Sequence, residues 1–179
     1  LQEGLLLVHN TLVGLNLRDR VRIGAAGKVT SAFDIARLMA LGADWCNAAR
    51  AFMFALGCIQ AQNCHTGECP TGVATQDPLR QRALVVADKA ERVYRFHQLT
   101  LEALRELVQA AGVMHPSQIR ASHIVRRDDN DNVRLLANQL LFIRPGELLA
   151  AADGQTNWPH AVFELYWPQA RAESFAPVP

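Results

Sequence analysis

Only two stretches of this chain read as buried strands, and each stands between helical stretches, an alternation that narrows the possible folds more than any other feature. Val21-Arg22-Ile23-Gly24-Ala25 reads as the first strand and Ala43-Asp44-Trp45-Cys46-Asn47-Ala48 as the second. Residues 4–17 (GLLLVHNTLVGLNL) are mostly apolar and helix-compatible. Residues 31–41 (SAFDIARLMAL) place apolar side chains at 33, 35, 38, 39 and 41, an amphipathic helix with Ser31 as its N-cap and Gly42 where a terminating glycine belongs. Ala49-Arg50 then leads into another apolar helical stretch ending near Leu56. Helix and strand in this order describe a βα repeat with parallel strands. Two parallel strands neither close a barrel nor stand alone as a sheet, because such a sheet needs both faces covered. The pattern predicts part of a larger α/β fold.

The rest of the chain is mainly helical in expectation. Asp77-Pro78 starts a short helix, with Asp as cap and Pro in the first turn. Asp88 to Ala111 is the clearest helix, with Asp88 and Glu91 as a capping-box-like pair and a stripe from Val93 through Leu104 to Ala111 facing the core. His115-Pro116-Ser117 starts another short helix, Arg126–Asn132 reads as a charged solvated loop, and Val133–Ile143 reads as helix or strand, leaning to helix. From Asp153 the chain reads as an irregular tail pinned by aromatic contacts, with Trp158 and Trp167 the candidates.

Composition excludes several functions. Half of the 179 residues are hydrophobic, enough to bury a core. Eighteen Lys and Arg against seventeen Asp and Glu leave a net charge of +1, so no bulk electrostatic argument favours nucleic acid or an anionic membrane. No apolar run approaches the roughly 20 residues of a membrane-spanning helix. The opening Leu5-Leu6-Leu7-Val8 lacks the basic flank and cleavage site of a signal peptide. The chain reads as soluble and cytoplasmic, and its start at Leu rather than Met reads as processing from something longer.

Three of the four cysteines fall in one aperiodic loop, C-IQAQN-C-HTGE-C-P, at Cys58, Cys64 and Cys69. A loop can wrap thiolates around one centre where a helix or strand would splay them. Iron–sulfur clusters are held by Cys thiolates, and three thiolates suit a three-iron cluster or a four-iron cluster with one open site. Zinc on Cys58, Cys64, Cys69 and His65 is a competing reading, and buried unligated thiols a third. Cys46 lies on the second strand and reads as a buried apolar residue. Each strand is followed by a small-residue turn with a cation, Ala26-Gly27-Lys28 and Ala49-Arg50. Backbone N–H groups there can approach a phosphate closely while Lys28 or Arg50 supplies countercharge; a solvated loop is the plainer alternative.

The run GADWCNAARAFMFALGCIQAQNCHTGECPTGVATQDP closely resembles the end of the flavin-binding barrel in the large subunit of glutamate synthase, and the likeness extends over about residues 1–150. The resemblance implies that the two strands are the seventh and eighth of a TIM (β/α)8 barrel, followed by a mostly α-helical C-terminal extension. It divides the chain into the end of an FMN-binding βα-barrel (1–57), a cysteine loop for an iron–sulfur cluster (58–77), a helical extension (78–152) and the tail (153–179). It implies a [3Fe-4S] cluster on Cys58, Cys64 and Cys69, and FMN phosphate at Gly27, Lys28, Ala49 and Arg50. The family's chemistry is the reduction of 2-iminoglutarate, formed from 2-oxoglutarate and ammonia, to L-glutamate, which also needs an electron donor. The family's substrate-binding lysine and its HDGGTGA-like motif have no counterpart here, and no residue is assigned as catalytic. A cluster- or zinc-stabilised structural module is the alternative. Exposed barrel edges would favour a homo-oligomer.

Overall fold

The structure, a computed structural model, describes residues 1–127 and 130–174. Helix α1 (Gln2–Gly14) precedes strand β1 (Gly24–Ala26), helix α2 (Ala32–Ala40), strand β2 (Trp45–Asn47) and helix α3 (Ala49–Leu56). The two strands pair in parallel, with Gly24 beside Trp45, Ala25 beside Cys46 and Ala26 beside Asn47. The expected βα alternation is therefore present as a mixed helix and strand fold. The first strand starts three residues later than the sequence pattern suggests. Val21 and Arg22 are exposed, and the Ile23 N–H is taken by the Asp44 carboxylate at 2.7 Å rather than by a strand neighbour.

Local chemistry sets the helix ends. The Ser31 hydroxyl accepts the Asp34 N–H at 3.1 Å, and the Asp34 carboxylate accepts the Ser31 N–H at 3.1 Å, a reciprocal cap on α2. Ala36, Leu38, Ala40 and Leu41 bury the inner side of α2 against Ile23, Ala25 and Val29. Ala25 points into that core, whereas Gly24, Ala26, Trp45 and Asn47 are exposed. Gly24 leaves room for the Trp45 indole, which a Cβ there would approach to 2.5 Å and displace.

The long helix α5 (Val86–Ala110) follows the short α4 (Pro78–Gln81) and closes this core with Leu104 and Val108. Phe96 of α5 meets Phe52 of α3 edge-on at 5.4 Å. The Asp77 carboxylate caps α4 through the Leu79 N–H at 2.9 Å, as expected. The expected Asp88–Glu91 cap does not form. α5 begins earlier, the Lys89 N–H bonding the Val85 carbonyl at 3.0 Å, and Glu91 pairs with Arg95 one turn on. The chain leaves α4 still turning, with the Leu84 N–H on the Gln81 carbonyl at 2.9 Å, and enters α5 at Val85 with no side-chain cap.

Residues 125–127 and 133–135 are strand, where the sequence reads as loop from Arg126 and leans to helix from Val133; Asp128 and Asp129 of that loop lie outside the described residues. Strands β3 (Val125–Arg127) and β4 (Val133–Leu135) form an antiparallel hairpin, with Asp131 in the left-handed region of its turn at φ 61°. Only Leu136–Gln139 (α6) of the segment expected as helix is helical. Val125 and Val133 favour extended backbone, and Asp tolerates the left-handed turn. Helices α7 (Glu147–Ala152) and α8 (Ala161–Tyr166) follow, the latter inside the stretch expected to be irregular. The aromatic pinning is present: Trp158 and Trp167 stand 5.8 Å apart and pack on a small second core of Ile143, Leu148 and Phe163.

One buried polar side chain joins the two ends of the chain. Asn10 on α1, 4% exposed, donates to the Leu141 carbonyl at 2.9 Å and accepts the Ile143 N–H at 3.2 Å. One turn on, Gly14 leaves room for Leu148, since a Cβ there would come within 2.4 Å of its Cγ. Replacing Asn10 with Ala orphans two backbone groups, each worth roughly 1–3 kcal/mol when left unpaired. Asn10→Ala should therefore lower unfolding free energy by about 2–4 kcal/mol in urea titrations; a loss within error would show that the 141–143 segment is not held this way.

Candidate functional site

Parallel pairing puts the carboxyl ends of β1 and β2 side by side, the end at which α/β folds bind ligands. Immediately after β1, Gly27 (φ 144°) and Lys28 (φ 54°) both adopt positive φ, which turns the chain sharply away from the strand end. After β2 the chain enters α3 at Ala49 with no side chain capping its first N–H groups, leaving donors and the positive end of the helix dipole at that spot. Lys28 and Arg50 are exposed. Gly27, Lys28, Ala49 and Arg50, the four residues expected at a phosphate, line one open groove of about 470 Å³. The same groove reaches Cys58 and Cys64.

The cysteine loop is organised from both ends. Gly57, at φ 108°, ends α3 in the left-handed conformation, with the Cys58 N–H closing on the Met53 carbonyl at 3.0 Å. At the far end Gly72 has φ 75°, and a Cβ there would lie 2.3 Å from the Arg80 carbonyl oxygen, so only glycine lets the loop close on α4. Arg80 donates to the Glu68 carbonyl at 3.3 Å and the Gln81 amide to the Thr75 carbonyl at 2.9 Å. The Thr75 hydroxyl donates to the Gly67 carbonyl. Side chains here satisfy the backbone groups that a helix or sheet would satisfy elsewhere.

Cys58, Cys64 and Cys69 line one narrow cavity. His65, the fourth ligand of the zinc reading, is exposed and does not line it. Among the described residues no group of three or more His, Cys, Asp and Glu side chains is arranged to hold a metal ion. The three cysteines thus share one cavity lining without forming a site for a single ion. Their donor chemistry fits a polynuclear iron–sulfur centre, in which separate irons take separate thiolates.

Cys69 is prepared for the thiolate form. The Thr71 hydroxyl, 3.5 Å from its sulfur, and the Ala74 N–H act first, and with the N–H groups of Thr71 and Val73 they outweigh burial and pull the thiol down to about 7. Cys58 Sγ accepts the Gln60 N–H at 3.5 Å. Cys46 is different: half-buried on β2 and packed against the core, it has its thiol pushed up by burial.

Two groups of site residues were not visible in the sequence. Met53 and Gln62, with Cys58 and Cys64, line both the groove and the cysteine cavity and so form the wall between them. Met53 read only as part of an apolar helix. Gln62 carries no motif, and its positive φ of 61° is a property of the folded loop. The Thr71–Ala74 cradle had a signal in the Cys-Pro-Thr-Gly turn that follows the third cysteine.

These features describe an α/β protein with an anion-compatible groove set against a cavity lined by three cysteines. Residues 1–114, which include both, match the conserved region in glutamate synthase, and the chain belongs to that family. It is 41% identical over 127 residues to the glutamate synthase large subunit-like protein YerD of Bacillus subtilis (strain 168), an alignment covering 71% of this chain and 24% of that protein. It is 31% identical over 156 residues to the glutamate synthase [NADPH] large chain of Azospirillum brasilense, covering 82% of this chain and 10% of that one. Identity to the chloroplastic ferredoxin-dependent glutamate synthase of Spinacia oleracea is 32% over 168 residues, 87% of this chain and 10% of that one. The chain thus spans about a quarter or less of the length of these relatives.

The difference between Cys69 and Cys46 has a direct readout in the metal-free chain. Because the thiolate is the nucleophile, the alkylation rate of Cys69 should rise through about pH 7 and then level off. That of Cys46 should still be climbing where Cys69 is flat. Residue-resolved mass spectrometry across pH checks this; parallel profiles would remove the cradle.

Proposed function

We propose that this chain contributes the FMN-phosphate and iron–sulfur part of a cytoplasmic glutamate-synthase-type oxidoreductase, which reduces 2-iminoglutarate, formed from 2-oxoglutarate and ammonia, to L-glutamate. The observation that carries the reading is the shared lining: Met53, Cys58, Gln62 and Cys64 border both the groove at the strand ends and the cavity of the three cysteines. In this reading β1 and β2 are the seventh and eighth strands of a (β/α)8 barrel. Among the described residues they pair only with each other, and the exposed Gly24, Trp45 and Asn47 face the position of the barrel interior. Their unpaired edges are the surfaces through which further strands, or a second copy, would join.

Each residue's part follows from its place. The Gly27–Lys28 turn and the N-terminus of α3 offer backbone N–H groups to a phosphate, and Lys28 and Arg50 offer countercharge. Cys58, Cys64 and Cys69 offer three thiolates for a [3Fe-4S] cluster, with Cys69 the one most ready to lose its proton. When bound, FMN supplies two-electron reduction of the imine and the cluster supplies one-electron transfer to the flavin. Met53 and Gln62, which border both spaces, would stand where the two groups come nearest. No described helix is long and apolar enough to cross a membrane.

Metal, sulfide and flavin analysis of the chain, handled anaerobically, tests the reading. About three irons and four sulfides per chain are expected, whereas zinc alone would make the loop a structural module. Cys64→Ser should abolish the visible cluster absorbance while circular dichroism shows α5 still folded; unchanged iron would remove Cys64 from the ligand set. Arg50→Ala should weaken FMN binding about tenfold, the loss of one charged hydrogen bond. Equal flavin occupancy in the two forms would count against the phosphate assignment.

A further inference from the structure

The three cysteines differ in what surrounds their sulfurs. Cys64 is exposed. Cys58 Sγ accepts a backbone N–H, that of Gln60, at 3.5 Å. Cys69 is buried and has a side-chain hydroxyl, that of Thr71, 3.5 Å from its sulfur. The turn beyond Thr71 holds that hydroxyl in place: the Gly72 N–H bonds the Cys69 carbonyl at 3.3 Å, and Gly72 is buried against the Arg80 carbonyl. A β-branched side chain on this closed turn has few rotamers to choose from.

We propose that Thr71 sets the reduction potential of the cluster held by Cys58, Cys64 and Cys69, through the hydrogen bond its hydroxyl donates to the Cys69 sulfur. The inference rests on the cluster reading given above and deepens it. A ligating cysteine carries no proton, so of the two atoms in this contact only the threonine O–H can donate. Donation draws electron density from the sulfur toward the hydroxyl and weakens what the sulfur gives to its iron. The cluster then accepts an electron more readily, because hydrogen bonds to the sulfurs favour the state with more negative charge. One electron enters or leaves, no bond to sulfur breaks, and the hydroxyl keeps its proton throughout. The N–H groups of Thr71, Val73 and Ala74 also act on Cys69, but they belong to the backbone of the turn. Thr71 is the one side chain there that substitution can change.

The test uses the chain reconstituted anaerobically with ferrous iron and sulfide, followed by redox titration monitored by electron paramagnetic resonance. Thr71→Val keeps the side-chain shape and removes the O–H; Thr71→Ser keeps the O–H. The expected result is equal iron and sulfide in all three proteins, a midpoint shifted to more negative potential in Thr71→Val, and a near-native midpoint in Thr71→Ser. A native midpoint in Thr71→Val with full iron overturns the role of Thr71 and leaves the cluster standing. An equal shift in Thr71→Ser, or loss of iron from Thr71→Val alone, also overturns it, because either result makes the residue one of packing. A parent chain that takes up no iron overturns the cluster reading itself, and the inference with it.

Discussion

Asp44 takes the Ile23 N–H at 2.7 Å and the Arg18 guanidinium at 2.8 Å, so one carboxylate ties the approach to β1 to the approach to β2. Burial works to raise the Asp44 carboxyl, but the Ile23 N–H, then Arg18, overcome it and hold it below its ordinary value. The same Arg18 bonds the carbonyls of Val21 and Gly42 and reaches His9 Nδ1 at 3.2 Å. Burial first, and then Arg18, lower the His9 imidazole, which suits its neutral form accepting from the guanidinium. With strands only three residues long, ladder bonds alone would define the register weakly. The carboxylate supplies the missing constraint: it places Gly24 opposite Trp45, and the turns at Gly27–Lys28 and Ala49–Arg50 follow side by side.

A site at the ends of two strands needs a lid or a neighbour to give it depth, and here the cysteine loop supplies it. The loop has little apolar packing of its own. Its shape comes from Gly57 and Gly72, where left-handed backbone is required, and from α4, whose Arg80 and Gln81 bond loop carbonyls. That arrangement brings Cys58 to the edge of the groove and buries Cys69 behind it. Gly72 matters to the chemistry only indirectly, by letting the loop close far enough for Thr71, Val73 and Ala74 to gather round the Cys69 sulfur.

What could be read from the sequence was what local chemistry dictates. Ser31 before an amphipathic run, Gly42 just after it and Asp77 before Pro78 are signals contained within one turn, and the structure uses each of them. The cysteine spacing was legible for the same reason, since all three sulfurs sit on one short loop. Strands β3 and β4 were harder to read because each is three residues long and wholly exposed, too short for the alternation Val133-Arg134-Leu135 to stand out. Asn10 was hidden because its partners lie 131 and 133 residues away. The wall of Met53 and Gln62 was hidden because it arises from the packing of α3 against a loop, which periodicity does not describe.

Charge orders the groove along its length. Lys28, Arg50 and the uncapped N-terminus of α3 make the strand ends favourable to an anion. Toward Cys58 and Cys64 the lining is Met53, Phe54, Gln60 and Gln62, none of them charged. That difference in charge is built by two strands and one loop, elements that the family match covers in full. The residues beyond 114 therefore act on the site through the core they share with α5, where Ile119, Ala121, Ile124 and Leu136 pack with Leu104 and Val108. Loss of that packing would loosen α5 from Phe52 of α3, and α3 carries both Arg50 and the lead into Cys58.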